Sequence, residues 1–390
     1  MNIPEAQSFP CAACGAKLTY DASTQSMTCG SCGRQEAVGG VGGGSGGGVA
    51  MVRDIPIEQG MQMAARGLGA QVTTIECKEC GAKVNVGQGE RTTECAFCGS
   101  KQVLAQGTNE SAIRPESLLA FRIPKEDANK RFAAWLSGLW FRPSDLKKMA
   151  SVQEMGGVYV PFWAFNSQVQ SRWNAERGHY YYEEERYTET VDGKSVQRTR
   201  QVQRTRWEPA SGSRNDAYQD VLVCAGRGLP TELVATFSTF DTKQLTPYKP
   251  EYLAGWRAEA YAIELLPGWQ TGQEKIATSQ NGRCAGDVGG DTHQNLRVSN
   301  AFSSVSFKHL LLPIWIAAYR YNGKVFRFLV NGQTGEVVGK APWSVWKIAA
   351  LVVVILAIVG ALIALATRGQ SSGSSRGHSA LQRVAVTRVV

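Results

Sequence analysis

The stretch CAACGAKLTYDASTQSMTCGSCG at residues 11–33 returns 66 positions later as CKECGAKVNVGQGERTTECAFCG at residues 77–99. Both copies open with Cys-x2-Cys-Gly-Ala-Lys and close with Cys-x2-Cys-Gly, and 14 residues separate the two cysteine pairs in each. We name them the first and the second cysteine repeat. Because the copies align without a gap, they indicate an internal duplication and predict two small modules of one fold.

Each repeat brings four thiolates together from two tight turns, and this ligand set suits tetrahedral zinc. The alternatives are disulfides, which a reducing compartment disfavours, and iron bound as in rubredoxin, which uses the same ligands. Four protein ligands leave no open position for water, so the expected role of the metal is structural, with two Zn²⁺ per chain. The predicted ligands are Cys11, Cys14, Cys29 and Cys32 for the first ion and Cys77, Cys80, Cys95 and Cys98 for the second.

The segment GGVGGGSGGG at residues 39–48 separates the repeats, and a stretch of this composition behaves as a flexible linker. The predicted fold class is α+β, with two zinc ribbons, a β-rich central domain and one C-terminal transmembrane helix. The expected boundaries are zinc ribbon 1 at 1–38, the flexible linker at 39–69, zinc ribbon 2 at 70–105, the cytosolic α+β domain at 115–342, the transmembrane helix at 343–367 and a basic Ser/Gly-rich tail at 368–390.

Within the central domain, VYVPFWAF (158–165) is typical of a buried strand. HYYYEEERYTETV and KSVQRTRQVQRTRW flank Asp192-Gly193, a strong hairpin signal, so a long polar hairpin is expected there. Turn residues at regular intervals from position 309 to position 340 predict an antiparallel meander. Helices are predicted around 125–140, 231–237, 251–262 and 267–280.

The segment IAALVVVILAIVGALIALA (348–366) contains 19 uncharged residues, about 28 Å as a helix, which matches the hydrocarbon thickness of a bilayer. Trp343, Trp346 and Lys347 precede it, as is common at a membrane interface, and Arg368 follows. Lys and Arg are balanced on its two sides, so the positive-inside rule does not decide the orientation. The four thiol pairs and the absence of a secretory signal favour an N-terminal bulk in the cytoplasm, on a single-pass protein of the cell membrane.

The formal net charge of +9 first suggests nucleic acid, but the segment that holds both repeats, residues 1–114, carries a net charge of −1. The sequence therefore favours protein recognition by the repeats. One basic surface remains, because the period of two residues in a strand places four arginines on one face. This possible contact with an anion consists of Arg198, Arg200, Arg204 and Arg206. The simpler interpretation pairs these arginines with Glu183, Glu184, Glu185 and Glu189 of the neighbouring strand.

No catalytic constellation is evident. The four histidines are scattered, GQTGEVVGK (332–340) departs from the Walker pattern, and no small-molecule substrate is indicated. Cys224 and Cys284 stand alone and are expected to be buried apolar groups. The sequence predicts a protein that is not an enzyme.

Together with the cysteine repeats, VYVPFWAF, YLAGWRAEAY (252–261), LLLPIWIAAYRYNGK (310–324) and LVNGQTGEVVGKAP (329–342) give the chain its resemblance to a known group. It resembles bacterial membrane-anchored zinc-ribbon proteins, which carry TFIIB-type or primosomal-helicase-like labels and belong to phage-shock and SPFH membrane-stress operons. The resemblance implies recruitment of SPFH or phage-shock-type proteins to the membrane. A helicase activity is not expected, since no Walker loop is present.

Two hypotheses of different class follow. In the first, the protein is a membrane-anchored adaptor or scaffold that recruits soluble proteins to the cytoplasmic membrane face in a membrane stress response. In the second, it tethers nucleic acid to the membrane through its zinc ribbons and the arginine face.

Overall fold

The computed structural model of the chain has the expected α+β class, and it describes residues 9–38, 52–66, 73–78, 81–85, 95, 97, 103–108, 113, 115–140, 142, 155–191, 194–237, 240–321 and 324–371. The strands are β1 (Leu18–Asp21), β2 (Ser26–Cys29), β3 (Gln35–Glu36), β4 (Ile55–Pro56), β5 (Thr73–Cys77), β6 (Lys83–Asn85), β7 (Val103–Thr108), β8 (Ser117–Leu118), β9 (Gly156–Val191), β10 (Lys194–Cys224), β11 (Thr246–Pro247), β12 (Arg257–Glu259), β13 (Thr292–Tyr321), β14 (Lys324–Asn331) and β15 (Val337–Gly339). The helices are α1 (Ile57–Arg66), α2 (Lys125–Ser137), α3 (Thr231–Thr236), α4 (Leu265–Val288) and α5 (Val345–Ser371).

Two very long antiparallel strands, β9 and β10, dominate the main sheet. Their register places Val191 opposite Lys194, which agrees with the turn predicted at Asp192-Gly193; those two positions lie outside the described residues. Strand β9 also pairs with β13, and this pairing stops at Gly178. Beyond Gly178 the hairpin is a two-stranded projection of roughly 40 Å, which we call the distal arm (residues 179–191 and 194–206). The long polar hairpin therefore forms where the sequence predicts it.

The C-terminal part of the sheet is the expected antiparallel meander. Strand β13 pairs with β14, whose partner on the other side is β15. Tyr321 lies opposite Lys324, which agrees with the turn predicted between them; positions 322 and 323 themselves lie outside the described residues. Asn331 donates its backbone N–H to the carbonyl of Glu336 and closes the second turn. Turn residues between β-rich runs thus give this topology locally.

The buried half of β9 contributes side chains to cores on both faces of the sheet. Val158, Val160 and Phe162 pack on one face with residues of the second cysteine repeat and of α3. Trp163 and Phe165 face the other way and pack against α1 and α4. A strand with two buried faces reads as a continuous apolar run rather than an alternating one, as VYVPFWAF does.

Helix α4 approaches the sheet closely because glycines face it. A Cβ on Gly268 would lie 2.6 Å from the Trp163 ring, and one on Gly272 would lie 3.1 Å from Phe165. Any larger residue at Gly268 would push the helix away from the sheet. The helix therefore lies directly on the aromatic part of β9.

Part of the range predicted as a flexible linker is folded. Within the range 39–69, residues 55–56 form β4, which pairs with β13, and residues 57–66 form α1. The ammonium group of the buried Lys308 forms ion pairs with the carboxylates of Asp54 at 3.1 Å and of Asp220 at 2.7 Å. The reason is that IPIEQGMQM places Ile55 and Ile57 in the core, so this part of the linker is fixed to the sheet.

The prediction of a helix around 251–262 is wrong. Residues 250–253 form a short 3-10 turn, and residues 257–259 form strand β12, which pairs with β6 and β9. Gly255 interrupts the helix with a φ of +83°, a conformation that favours glycine. Helices do form in the other three ranges, at α2, α3 and α4.

The first cysteine repeat packs against the central domain. Its strands β1, β2 and β3 form a separate small sheet. The backbone N–H of Tyr20 donates to the carbonyl of Ala254, and the Trp256 indole donates to the carbonyl of Tyr20, both at 2.9 Å. Leu18 and Met27 share a buried cluster with Ala254. The first repeat thus presents a fixed surface.

Residues 134–152 and 341–390 form a second unit, whose main element is α5. Its stretch Val345–Ile363 is long and apolar enough to cross a membrane, and none of it is buried inside the protein. The predicted tail at 368–390 lies outside the described residues from position 372 onward.

Asp216 joins α4 to strand β10. Its carboxylate accepts hydrogen bonds from Arg214, Arg283 and Gln280 at 2.5–3.1 Å. These donors, Arg214 first, hold the pKa of Asp216 well below its usual range. Because the folded-state pKa is lowered, this stabilisation is present above the unfolded pKa near about 4 and is lost as the pH falls through the folded value.

We therefore expect Asp216→Asn to destabilise the packing of α4 by about 1–2 kcal/mol, since two arginines lose a charged acceptor that solvent partly screens. Hydrogen exchange of the α4 amides at neutral pH measures this loss. Asp287→Asn is the matched control: Asp287 pairs with the Arg214 guanidinium at 2.7 Å but is more exposed than Asp216, so its change should alter exchange little. Equal exchange in the Asp216 variant and the wild type would contradict the assignment.

Candidate metal centre

The four sulfurs of the first cysteine repeat converge on one point. The Sγ atoms of Cys11, Cys14, Cys29 and Cys32 all lie within 4.8 Å of one another. The Cys11–Cys32 and Cys14–Cys29 separations are 3.6 and 3.5 Å. A disulfide requires about 2.05 Å, whereas a tetrahedral Zn²⁺ with bonds of about 2.3 Å sets sulfurs about 3.8 Å apart. The geometry fits a metal ion and excludes disulfides in this arrangement.

Two equivalent backbone turns position these sulfurs. The N–H of Gly15 donates to the carbonyl of Cys11 at 2.9 Å, and the N–H of Gly33 donates to Cys29 at 2.9 Å. Both glycines have a positive φ, of +72° and +73°. The glycine after each Cys-x2-Cys pair is therefore required by the turn that aims both sulfurs at one point.

The charge state of the cluster suits a cation. The backbone N–H groups of Cys32 and Ser31 donate to the Cys29 sulfur and lower the pKa of that thiol to about 6. The N–H of Ala16 donates to the Cys14 sulfur and favours its thiolate. The neighbouring sulfurs of Cys29 and Cys32 outweigh this bond and raise the pKa of Cys14 to about 12. The close sulfurs thus oppose the loss of the Cys14 proton when no cation is near. A divalent metal ion would replace that proton.

The second cysteine repeat has the same first turn. The N–H of Cys77 donates to the carbonyl of Ala82 at 2.9 Å, and the N–H of Gly81 donates to the carbonyl of Cys77 at 2.8 Å. The equivalent bonds of the first repeat measure 2.7 and 2.9 Å, and Gly81 has the same φ of +72° as its counterpart. The bridge between Pro10 and Lys17 recurs 66 positions later as the pairing of Glu76 with Lys83. The sequence duplication is thus also structural in this part.

The remaining ligands of the second repeat are described only in part. Cys77 and Cys95 are buried, and the N–H of Phe97 donates to the Cys95 sulfur at 3.4 Å. Cys80 and Cys98 lie outside the described residues. Within the described part of the chain, the first repeat is the one group of thiols, imidazoles or carboxylates placed to hold a metal ion.

The four arginines predicted to share one face of a strand do so in β10, and each forms an ion pair with a glutamate. Arg200 lies opposite Glu185 in the strand ladder, with an N–O distance of 2.7 Å. The other pairs of this face are Arg198–Glu189 at 3.0 Å, Arg204–Glu183 at 3.5 Å and Arg206–Glu208 at 3.4 Å. The simpler interpretation therefore holds for three of the four glutamates. Glu184 is the exception, because it lies opposite Gln201 and points to the other face of the arm.

Of the two lone cysteines, Cys284 is buried and Cys224 is half-buried, and one unpredicted carboxylate is buried as well. Cys284 is fully buried beside Trp173, and burial raises the pKa of both Cys284 and Cys224. Glu259 is 1% exposed and accepts the backbone N–H groups of Arg227 and Gly228 at 2.9 and 2.7 Å. Its burial raises its pKa to about 7. Sequence reasoning missed Glu259, although a glutamate between two alanines in GWRAEAY was a signal of burial.

The chain resembles one uncharacterized bacterial protein over nearly its full length. It is 31% identical over 353 residues to "Uncharacterized protein YdjG" of Bacillus subtilis (strain 168), which covers 88% of this chain and 92% of that relative. No family model matches the chain, and no solved structure matches it significantly. The length and identity of the match show that the chain belongs to the same family as YdjG of Bacillus subtilis.

Proposed function

We propose that this protein is a membrane-anchored zinc-binding scaffold that recruits soluble protein partners to the cytoplasmic face of the cell membrane. The observation that carries the proposal is the combination of a closed four-thiolate centre, fixed on a sheet domain, with an apolar C-terminal helix in the same chain. A centre with four protein ligands supports folding rather than catalysis.

The metal part of the proposal is two structural Zn²⁺ ions per chain. The first repeat supplies Cys11, Cys14, Cys29 and Cys32. The shared first turn of the second repeat, and its buried Cys77 and Cys95, support a second site completed by Cys80 and Cys98. Residues of that repeat share a buried cluster with β9 and β13, so its metal would stabilise the main sheet as well.

The membrane part rests on α5, whose apolar residues are exposed throughout Val345–Ile363. Burial of that surface in a bilayer removes it from water. Reduced thiols in both repeats favour the cytoplasmic side for the N-terminal bulk, because zinc centres of this type require thiolates.

Recruitment needs surfaces of fixed shape on the tethered protein, and two support the proposal. The first cysteine repeat is held on the central domain, and the distal arm presents Tyr180, Tyr181 and Tyr182, all of them exposed. Tethering a partner at the membrane raises its local concentration without any chemical step. The resemblance to proteins of membrane-stress operons makes SPFH or phage-shock-type proteins the first partners to examine.

The test is a comparison of membrane fractions. Cells with the intact chain and cells without it are separated into soluble and membrane fractions, and the proteins of each are quantified by mass spectrometry. We expect at least one soluble protein to move to the membrane only when the chain is present, and to return to the soluble fraction in the Cys29→Ala variant. Cys224→Ala is the control, since Cys224 belongs to neither repeat. If no protein depends on the chain for its membrane position, the scaffold proposal fails.

Nucleic-acid binding has less support, because glutamates already neutralise the arginine face. We expect the purified protein in detergent to show no DNA or RNA binding that depends steeply on salt. Gel shifts at several salt concentrations with the wild type and with Arg200→Ala/Arg204→Ala measure this. Salt-sensitive binding that the double variant weakens would support the tether hypothesis instead.

A further inference from the structure

A tryptophan far from α5 in sequence lies beside its first turn. Trp140 follows the end of α2 and belongs to the same structural unit as α5. Its side chain is 79% exposed, although indole is a large and mostly apolar group. Trp343 and Trp346, at the start of α5, are 63% and 86% exposed. Three exposed indoles in one unit are costly in water and indicate a surface with another neighbour.

Lys347 fixes Trp140 at this position. Its ammonium group donates to the backbone carbonyls of Trp140 at 3.1 Å and of Arg142 at 2.8 Å. Lys347 is the third residue of α5, so the chain around Trp140 is tied to the first turn of the helix. The two carbonyl acceptors also satisfy a charge at the edge of an apolar segment.

Arg142 completes the group. Its guanidinium carbon lies 3.9 Å from the centre of the Trp343 ring, which is a cation–π contact. The group therefore combines three amphipathic rings with two cations at the boundary of an apolar helix. This composition is typical of the interface between lipid headgroups and acyl chains, where rings and positive charges are favourable.

We propose that Trp140 is a second membrane contact, which inserts its indole into the headgroup layer beside Trp343 and Trp346. The partner is the lipid surface that surrounds α5. The inference rests on the proposed membrane anchoring by α5 and goes beyond it, because it adds a segment 207 residues earlier in the chain to the membrane contact. Two segments of the chain would then contact the lipid, α5 and the backbone around Trp140. The hydrogen bonds of Lys347 would hold Trp140 at a fixed depth in the headgroup layer.

Fluorine NMR of the full chain in lipid nanodiscs tests the proposal. Fluorotryptophan replaces all tryptophans, and the signals of Trp140, Trp346 and Trp207 are assigned by changing each to Phe. Trp207 lies next to the distal arm and serves as the reference outside the membrane. A lipid that carries a spin label at the top of its acyl chain is then added. We expect relaxation of the Trp140 and Trp346 signals to rise at least about threefold, and that of Trp207 to stay unchanged.

The Lys347 variants separate a fixed position from accidental contact. Lys347→Met removes both hydrogen bonds, and we expect relaxation of Trp140 by the lipid label to fall while that of Trp346 stays high. Lys347→Arg retains a donor and should keep the effect at Trp140. Unchanged relaxation of Trp140 in the Met variant would overturn the role of Lys347.

The three signals keep this proposal distinct from membrane anchoring itself. If Trp346 responds to the lipid label but Trp140 responds only to a water-soluble relaxation agent, the second contact is overturned and anchoring by α5 stands. If neither signal responds to the lipid label, both ideas fail.

Discussion

Changing Cys29 to Ala is expected to remove one zinc ion per chain and to unfold the first cysteine repeat. Structural zinc contributes about 10–16 kcal/mol to the folding of small modules of this kind, far more than the packing of one such module can replace. Three remaining thiolates cannot close the tetrahedral site. Because Tyr20 and Trp256 bond across the contact with the central domain, unfolding of the repeat should also expose that surface.

Metal analysis of the purified chain measures the loss of zinc. The rate at which the thiols react with a modifying reagent measures the unfolding of the repeat. The wild type should hold two zinc ions, and Cys29→Ala and Cys95→Ala, one substitution in each repeat, should each leave one ion. Cys224→Ala, which changes a cysteine outside the repeats, should retain both ions. A wild type with one ion, lost in the Cys29 variant and kept in the Cys95 variant, would refute the second site and leave the first intact.

Placing two arginines in the middle of α5 is expected to abolish membrane integration. Val354 and Ile358 lie one turn apart and are both exposed. An arginine at the centre of a membrane helix costs about 2.5–3.5 kcal/mol, so the pair costs about 5–7 kcal/mol, enough to reverse insertion. Alkaline carbonate extraction should release Val354→Arg/Ile358→Arg into the supernatant, while the wild type stays in the pellet.

The control is Val354→Leu/Ile358→Leu, which keeps the segment apolar and should stay in the membrane pellet. If the arginine variant also resists extraction, α5 does not hold the protein in the bilayer, and the membrane part of the proposed function would be refuted.

Some features of this protein follow from short sequence patterns. The hairpin needed only a turn dipeptide between two strands of polar and aromatic residues, and the register around positions 192 and 193 agrees with it. The meander at the end of the sheet followed from Asn-Gly and Thr-Gly turns in the same way. The helix prediction around 251–262 was wrong because of one residue. Gly255 has a positive φ, which a helix does not allow, and Arg257–Glu259 form a strand after it.

Other features needed contacts between distant segments. The pattern around Ile55 and Ile57 was too short to show that this part of the linker packs against β13. The charge pattern of the arm indicated glutamate partners, but only the register decided that Glu185 lies opposite Arg200 while Glu184 lies opposite Gln201.

The sequence by itself determined the first four-cysteine centre, the long hairpin and an apolar helix of membrane length, because ligand spacing, turn residues and hydropathy act over a few neighbouring residues. The tertiary structure alone decided that the first repeat is held against Ala254 and Trp256, and that Lys347 bonds the backbone at Trp140. Such contacts join segments more than 200 residues apart. They depend on packing and backbone hydrogen bonds that leave no periodic signal in either segment.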